Sequence, residues 1–280
     1  MSKIEKALGR AREDRGNLQL VPVSPAPAAP AAGAGTALVA HRAAHPETIV
    51  KMSAGEVKLY APSDLSALGI IHQERSEDPV VQVFRGLRTK VVQQSQGQSS
   101  VVLVTAVSKE SGSSFVARNL GAAFAFDTGK TALLVDCNFK NPSVHRWIPS
   151  SSGPGLMDYL DNADMDLGAI IRPVGIPRYR AIPAGAPRKI PGEYLSSLKM
   201  RRLMDAIRVR YSDRYIIVDG PPMEDLADIR VLSEFSDYVL IVARYGRATS
   251  SQIANCLGAV TDRKLLGVVF NDEPYLPRLR

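Results

Sequence analysis

The residues of this chain that could do chemistry are two aspartates, each placed after an apolar run, and a loop rich in serine. Asp136 and Asp219 end two such runs, and Ser108–Ser114 follows the apolar run Val101–Val107. Burying an unpaired charge is costly, so an aspartate at the end of a buried strand favours a functional role. Carboxylates and hydroxyls are ligands for Mg²⁺. The sequence therefore predicts a magnesium and nucleotide site, with Asp136 and Asp219 as catalytic and metal-binding residues and Ser114 as a further metal ligand. The alternative is that both aspartates only cap neighbouring backbone.

The serine-rich loop has the setting of a Walker A loop, in which a strand runs into a small-residue turn and then a helix. Backbone N–H groups and the helix N-terminus can bind phosphates there. A working loop ends in Gly-Lys-Ser/Thr, whereas this one ends in Gly112, Ser113 and Ser114, so Ser113 takes the place of the lysine. Because that lysine neutralises charge on the transferred phosphoryl group, we predict that catalysis suffers more than nucleotide binding.

Two nearby features bear on the missing lysine. Lys109 could swing over the phosphates or could simply face solvent, and Glu110 adds a carboxylate to the loop. A second triplet, Gly129-Lys130-Thr131, has the right letters but follows a helix and precedes a strand. We predict that it is an ordinary helix-to-strand turn, with Gly129 as the C-cap.

The elements that must position these residues are short apolar strands that alternate with helices. The predicted strands are Val101–Val107, Ala132–Asp136, Tyr215–Asp219, Tyr238–Ala243 and Leu265–Phe270. The predicted helices are Val80–Gln94, Ser114–Phe126, Pro191–Tyr211, Leu226–Phe235 and Thr249–Val260. This alternation is typical of a parallel sheet covered by helices on both faces, with ligands beyond the carboxyl ends of the strands. The fold class is therefore α/β, with a P-loop NTPase-like parallel sheet.

Two further segments precede this domain, which we place at residues 78–280. Residues 1–16 are predicted to form an amphipathic helix, which would either dock on a partner or an anionic membrane surface, or pack on the main domain. Residues 17–77 begin as a flexible linker rich in proline and alanine. The rest of that segment shows no clear period, and we expect poor order there, with a short strand near residues 57–60.

Composition narrows the function classes. The 280 residues carry a formal net charge of +7, which favours acidic partners such as an inner membrane face, nucleic acid or nucleotide phosphates. No basic run is interleaved with aromatic residues, so nucleic acid is not a predicted partner. Cys137 and Cys256 are expected to be reduced and buried. No apolar run reaches membrane-span length and no signal peptide is evident, so we predict a cytoplasmic protein that reaches the membrane through a partner or its charge.

Several segments together resemble the bacterial tyrosine kinases that partner capsule and exopolysaccharide chain-length proteins. The similarity spans residues 78–272, and the opening residues 2–7 look like those of stand-alone cytoplasmic members. The segments that carry it are Val80–Thr89, Leu134–Pro142, Gly153–Leu156, Ile182–Gly185, Pro191–Ser197 and Val218–Pro222. The resemblance implies a domain that binds ATP and Mg²⁺, phosphorylates its own tyrosines, cycles between oligomer and monomer, and contacts a membrane polysaccharide chain-length (co-polymerase) protein.

The departures from this family fall on the chemistry. Besides Ser113, the second aspartate of the family's second motif is Asn138 and its arginine is Lys140. After Asn271 only Tyr275 remains of the tyrosine-rich tail. We therefore predict that the binding of ATP and Mg²⁺ is weakened or lost. The residues that would line the nucleotide site are Lys109, Gly112, Ser113, Ser114, Lys140 and Asn271.

The family's oligomer interface is altered as well. Gln82 stands where the family has a glutamate, although Arg85 and Arg88 remain. A glutamine cannot form the same ion pair with a neighbour's arginines, so the resemblance leaves the ring in doubt without excluding a weaker homo-oligomer.

Three hypotheses follow. The first is a catalytically impaired kinase that acts as a cytoplasmic regulator or scaffold in exopolysaccharide or capsule synthesis and export. The second is an active tyrosine autokinase of the same pathway that borrows Lys109 or Lys140 for the lost charge. The third is a positioning ATPase of the partitioning or division-site type, although those proteins begin the loop with a lysine where this chain has Ser108.

Overall fold

The computed structural model describes residues 59–149, 153–188, 191–209 and 213–274, and the structural statements below concern those residues. The predicted helix at 1–16, most of the predicted linker and Tyr275 lie outside them. Among the helices of these ranges, none combines the length and the apolar character that a membrane span requires. Cys137 and Cys256 are both buried free thiols, as predicted.

A seven-stranded sheet forms the centre of the domain. Its strands are β1 (Val101–Ala106), β2 (Thr131–Asp136), β3 (Arg172–Pro173), β4 (Tyr179–Ile182), β5 (Arg214–Asp219), β6 (Tyr238–Arg244) and β7 (Leu265–Asn271). The order across the sheet is β3-β4-β2-β5-β1-β6-β7, and every neighbouring pair is parallel except β3 with β4. The predicted parallel sheet is confirmed, while the short strands β3 and β4 escaped the sequence analysis.

Helices cover both faces of this sheet. They are α1 (Pro62–Ala67), α2 (Pro79–Gln94), α3 (Ser113–Ala125), α4 (Leu156–Asp161), α5 (Pro191–Leu195), α6 (Leu198–Val209), α7 (Leu226–Phe235) and α8 (Ser250–Gly258). Alternate β1 residues face opposite sides, because side chains alternate along a strand. Val102 and Val104 pack in one apolar cluster with residues of α2 and α3. Val101 and Leu103 pack in a second cluster with residues of α6 and α7.

Capping explains where two of the helices begin. The Asp78 carboxylate accepts a hydrogen bond from the Val80 N–H at 2.8 Å, and Pro79 opens α2 where a missing N–H costs nothing. The predicted single helix over 191–211 is wrong, because α5 ends at Leu195 and α6 begins at Leu198. There the Ser197 hydroxyl accepts from the Met200 N–H at 3.1 Å, which caps a new helix.

Residues 59–77 differ from the expectation of poor order. They contain α1, and Leu65, Ile70 and Ile71 are buried in the same apolar cluster as α2 and α3. The Asn119 side chain of α3 accepts from the Ile71 N–H at 2.8 Å and donates to the Gly69 carbonyl at 3.1 Å. The expected strand is absent at residues 59 and 60, which have no regular structure. The segment is thus held on α3 by its buried apolar residues and by the two hydrogen bonds of Asn119.

The second triplet, Gly129-Lys130-Thr131, lies in a helix-to-strand turn, as predicted. Its glycine is not the C-cap, however, because α3 ends at Ala125 and Phe126 caps it. The Asp127 carboxylate instead accepts from the Gly129 N–H at 3.0 Å and closes the turn itself.

Two segments that carry the family resemblance pack against each other beyond β4. Backbone hydrogen bonds run from the Leu156 N–H to the Pro183 carbonyl at 2.8 Å and from the Met157 N–H to the Ala184 carbonyl at 2.9 Å. A methyl group on Gly155 would collide with the backbone of Gly185. The two glycines are therefore a packing requirement of the fold.

Candidate functional site

The loop between β1 and α3 has the geometry that the sequence predicted. Gly112 is the N-cap of α3 and has a left-handed backbone, with φ of 87°. A methyl group there would collide with the Asn271 side chain, whose Nδ2 donates to the Ser111 carbonyl at 3.1 Å. The Ser111 hydroxyl donates to the Ser108 carbonyl at 2.8 Å. Glycine is therefore required at position 112, and the end of β7 braces the loop through Asn271.

The loop residues that depart from a working phosphate loop sit inside this frame. Ser113 begins α3 and is only 7% exposed. Glu110 is exposed and has a left-handed backbone with φ of 61°, which is uncommon for a residue other than glycine. The loop thus keeps its backbone path while presenting a carboxylate rather than an ammonium group.

The two aspartates lie side by side, because β2 and β5 are neighbouring parallel strands in which Asp136 pairs with Asp219. Both are at most 1% exposed. The Asp136 carboxylate accepts three backbone N–H groups, from Asn138 at 3.2 Å, Ser143 at 2.9 Å and Val144 at 3.1 Å. Asp136 therefore does cap its own loop, as the alternative hypothesis proposed for both aspartates.

Asp219 has a different environment. Its Oδ2 accepts the Ser143 hydroxyl at 3.5 Å, and the Ser114 hydroxyl hydrogen-bonds to the same carboxylate. Its Oδ1 is buried and has no hydrogen-bond partner, and the same is true of the Asn138 side-chain oxygen. Unpartnered buried oxygens are costly, and a cation would satisfy them.

The electrostatics of the pair point the same way. Burial raises the pKa of Asp136 to about 6, against the opposing effect of its three backbone donors. Burial, followed by the charge of Asp136, raises the pKa of Asp219 well above its usual range, although Ser114, Ser143 and Arg118 act in the opposite direction. Two buried carboxylates this close cannot both ionise cheaply. A bound cation would therefore lower the cost of keeping both carboxylates charged.

The donor set fits Mg²⁺ without forming a complete cage. Mg²⁺ is commonly held by one or two carboxylates, with waters and substrate phosphates completing its shell. Asp219, Asp136 and the Ser114 hydroxyl supply that type of ligand on one side. Within the described ranges no group of three or more His, Cys, Asp or Glu residues could hold a metal ion.

Both lysines that could replace the lost charge are paired with acids of the loop after β5. Lys109 is 73% exposed, and its Nζ lies 4.0 Å from the Glu224 carboxylate. Lys140 forms an ion pair with Asp225, and this hydrogen bond raises the pKa of Lys140. Each of the two ammonium groups is thus paired with an acid outside the phosphate loop.

Three residues near the site were missed by sequence reasoning. Ser143 contacts both aspartates, and its only signal was its place after Asn-Pro in the loop that leaves β2. Asp225 could have been suspected as an acid just past the Pro-Pro turn. Arg118 lies one helical turn beyond Ser114, stacks 5.4 Å from the Phe115 ring centre and attracts Asp219; no motif marks it.

The predicted oligomer residues lie apart from this cluster, on α2. The Gln82 side chain donates to the Ser76 carbonyl at 2.6 Å, and the Arg88 guanidinium donates to the Ala123 carbonyl at 3.1 Å. Two of the three predicted interface side chains, the other being Arg85, thus make contacts within the chain. Their role between subunits stays a prediction.

Comparisons with known proteins complete the description. No family model matches the chain. It is 31% identical over 199 residues to EpsB of Ralstonia nicotianae, named as a tyrosine-protein kinase, covering 70% of this chain and 26% of EpsB. It is 28% identical over 218 residues to tyrosine-protein kinase Wzc of Salmonella typhimurium, covering 77% of this chain and 29% of Wzc. The kinase domain of Escherichia coli tyrosine kinase ETK superposes with a TM-score of 0.63 and 22% identity, covering 79% of this chain and 99% of that domain. The chain spans about a quarter of the length of these two relatives.

Proposed function

The chain belongs to the bacterial tyrosine kinase family, and on that premise we propose that it is a catalytically impaired member, acting as a regulator or scaffold in exopolysaccharide or capsule synthesis and export. The observation that carries the proposal is the charge around the phosphate loop. Ser113 replaces the lysine, and Lys109 and Lys140 are paired with Glu224 and Asp225. The left-handed Gly112 at the start of α3 supports the phosphate-binding part of the proposal.

Each part of such a nucleotide site can be assigned to residues of this chain. The N–H groups at the start of α3 would bind phosphate oxygens, helped by the positive end of the helix dipole. Ser114, Asp136 and Asp219 would hold Mg²⁺, which supplies charge neutralisation between the phosphates when bound. Asp219 Oδ1, buried without a partner, is the oxygen most in need of a cation.

The missing lysine weakens transition-state binding more than ground-state binding. A hydrogen bond to a charged group contributes about 1.5–3 kcal/mol, against about 1 kcal/mol for a neutral one. The difference is largest when charge develops on the phosphoryl group, because electrostatic stabilisation acts where charge appears. Serine at position 113 is thus compatible with nucleotide binding and unfavourable for transfer.

The active-kinase hypothesis needs a lysine that leaves its acid partner. Both candidates follow the carboxyl ends of parallel strands, Lys109 three residues beyond β1 and Lys140 four residues beyond β2. The ion pair of Lys140 with Asp225 speaks against this role in the ground state. The positioning-ATPase hypothesis lacks its lysine, since Ser108 instead closes the loop through Ser111.

Work in the exopolysaccharide pathway would require a partner at the membrane. We propose that a membrane chain-length protein recruits this chain, because homologues in this family carry names such as EpsB and Wzc and span about four times the length matched here. The homo-oligomer through α2 belongs to the same proposal.

An autophosphorylation assay with ATP and Mg²⁺, paired with titration of a fluorescent ATP analogue, tests the impairment. We expect the native chain to transfer no phosphate and Ser113→Lys to bind the analogue about tenfold tighter, since about 1.4 kcal/mol of added charge interaction is a factor of ten. Ser113→Gln is the matched control, with length but no charge. Autophosphorylation by the native chain that Asp219→Ala abolishes would overturn the proposal.

A further inference from the structure

The loop after β5 and the loop after β2 are joined across the mouth of the site by one ion pair. Lys140 lies four residues beyond Asp136 in one loop, and Asp225 lies six residues beyond Asp219 in the other. Because β2 and β5 are neighbouring parallel strands, both loops leave the same carboxyl edge. The Lys140 ammonium and the Asp225 carboxylate meet there.

The acidic groups around this ion pair carry more charge than Lys140 does. The second oxygen of Asp225 is buried and has no hydrogen-bond partner, so the carboxylate has unused capacity for a cation. Asp228 lies near enough to interact electrostatically with both Lys140 and Asp225. On the neighbouring turn, Glu224 lies 4.0 Å from Lys109 in the same way. Two consecutive acids therefore pair with the lysine of the phosphate loop and with the lysine of the loop after β2.

From this arrangement we propose that Asp225, supported by Glu224, sequesters Lys140 and so keeps a phosphate-neutralising charge away from the nucleotide. The inference rests on the proposed function and deepens it, because the loss of activity then has two sources, a missing lysine and a captured one. A bound nucleotide would have to compete with Asp225 for the ammonium group.

The ion pair between Lys140 and Asp225 is weak enough to be reversible. The Lys140 side chain is 58% exposed and that of Asp225 only 18%. Ion pairs with an exposed partner contribute about 0.2–1 kcal/mol, which corresponds to a factor of about 1.4 to 5 in an equilibrium constant. Removing the acid should therefore strengthen nucleotide binding by a factor of about 1.4 to 5.

The test uses Asp225→Asn, which keeps the shape of the side chain and a residue type that suits an N-cap. Binding of a fluorescent ATP analogue with Mg²⁺ is measured for the native chain and the variant. Glu234→Gln is the matched control, because Glu234 pairs with Arg201 at 3.8 Å on another part of α7. We expect tighter binding in Asp225→Asn and unchanged binding in Glu234→Gln.

A second readout separates capture of the lysine from a general change of charge. Acetylation of lysines is followed by mass spectrometry with and without the ATP analogue. We expect the nucleotide to protect Lys140 in Asp225→Asn and not in the native chain, while Lys264 is unaffected in both. Glu224 is exposed, and Glu224→Gln should give the corresponding protection at Lys109.

Each outcome decides the matter. Unchanged or undetectable binding in Asp225→Asn overturns the inference, and so does tighter binding without protection of Lys140, because the acid would then act only through its field. Both readouts measure binding and not transfer, so phosphate transfer by the native chain would refute the proposed function alone.

Discussion

Replacing Asp219 by asparagine should stabilise the metal-free protein at neutral pH. The change keeps the size of the side chain and its ability to accept from the Ser114 and Ser143 hydroxyls, but removes one of two buried acids. The stabilisation arises because the folded protein must otherwise either retain a proton on the pair or bury two charges. We expect the gain to be large for a single substitution in a site.

The magnitude follows from the pKa of Asp219 itself. Burial, followed by the charge of Asp136, raises that pKa well above its ordinary value of 3.8, and each pKa unit costs about 1.4 kcal/mol of stability once the carboxyl ionises. The shift of the Asp136 pKa to about 6 arises from its own burial, so the substitution leaves that cost in place. We therefore expect Asp219→Asn to raise the free energy of unfolding by more than about 1 kcal/mol at pH 7.5 without Mg²⁺.

The pH dependence has a definite sign. A carboxyl whose pKa is raised by folding stabilises the protein fully below its unfolded pKa, and that contribution is lost as pH rises through its folded pKa. For Asp136 the window runs from about pH 4 to about pH 6, and the raised pKa of Asp219 gives a loss of the same sign. The native chain should thus lose stability over this range, and Asp219→Asn should lose less, so the two curves converge toward acid pH.

Urea unfolding followed by the fluorescence of Trp147, the single tryptophan and a buried one, provides the assay. It is run from pH 4.5 to pH 8 with EDTA and again with Mg²⁺, which should stabilise the native chain more than the variant. Asp164→Asn, an exposed position, serves as the control and should run parallel to the native chain. If Asp219→Asn is no more stable at pH 7.5, or its advantage does not shrink toward acid pH, the carboxylates do not share a proton.

Two further substitutions test the frame around the site. Gly112→Ala should lower the free energy of unfolding by about 2–3 kcal/mol. It places alanine in a left-handed conformation (about 1–2 kcal/mol) and breaks the hydrogen bond of Asn271 (about 1 kcal/mol). The control Gly86→Ala, in open space within α2, should be neutral or stabilising by up to about 1 kcal/mol. Thermal unfolding of both measures this, and equal losses would refute the role of the φ of 87°. Asp158→Asn should lose about 1–3 kcal/mol at pH 7, because the carboxylate accepts from Gly155 at 2.9 Å and Arg188 at 3.2 Å. Although burial opposes it, these donors lower the pKa of Asp158, so urea titrations should show the loss fading as pH falls below about 4, and a loss that persists there would contradict this account.

The sequence was informative wherever burial left a regular pattern. Five strands were predicted from apolar runs because strands covered on both faces carry no polar interruption, and β1 and β5 are buried along their whole length. Strand β4 was missed because only four residues form it and Arg180 interrupts them. The segment at 59–77 was missed because its order comes from contacts with Asn119, which are distant in sequence.

The residues of the site likewise divide into those that the sequence predicts and those that it does not. The meeting of Asp136 with Asp219 was predictable, because the carboxyl ends of parallel strands share one edge. The bond of Ser143 to both of them was not, since it depends on how seven residues of loop turn back. The partner of Lys140 was equally invisible, because an ion pair between two loops leaves no periodic trace in either.

Several motif residues have structural reasons to persist whether or not phosphate is transferred. Asp136 holds the loop after β2 through three backbone N–H groups, Asn271 braces the phosphate loop, and Gly112 is the only residue type that fits beside it. Ser113 has no such structural role, because the backbone conformation of the loop does not depend on its side chain. Asp219 differs from these residues, because its buried Oδ1 has no hydrogen-bond partner and its charge is unfavourable in the absence of a cation. The fold therefore explains why Asp136, Asn271 and Gly112 are retained but not why Asp219 is, and activity has to be judged from the cations that can reach the phosphates.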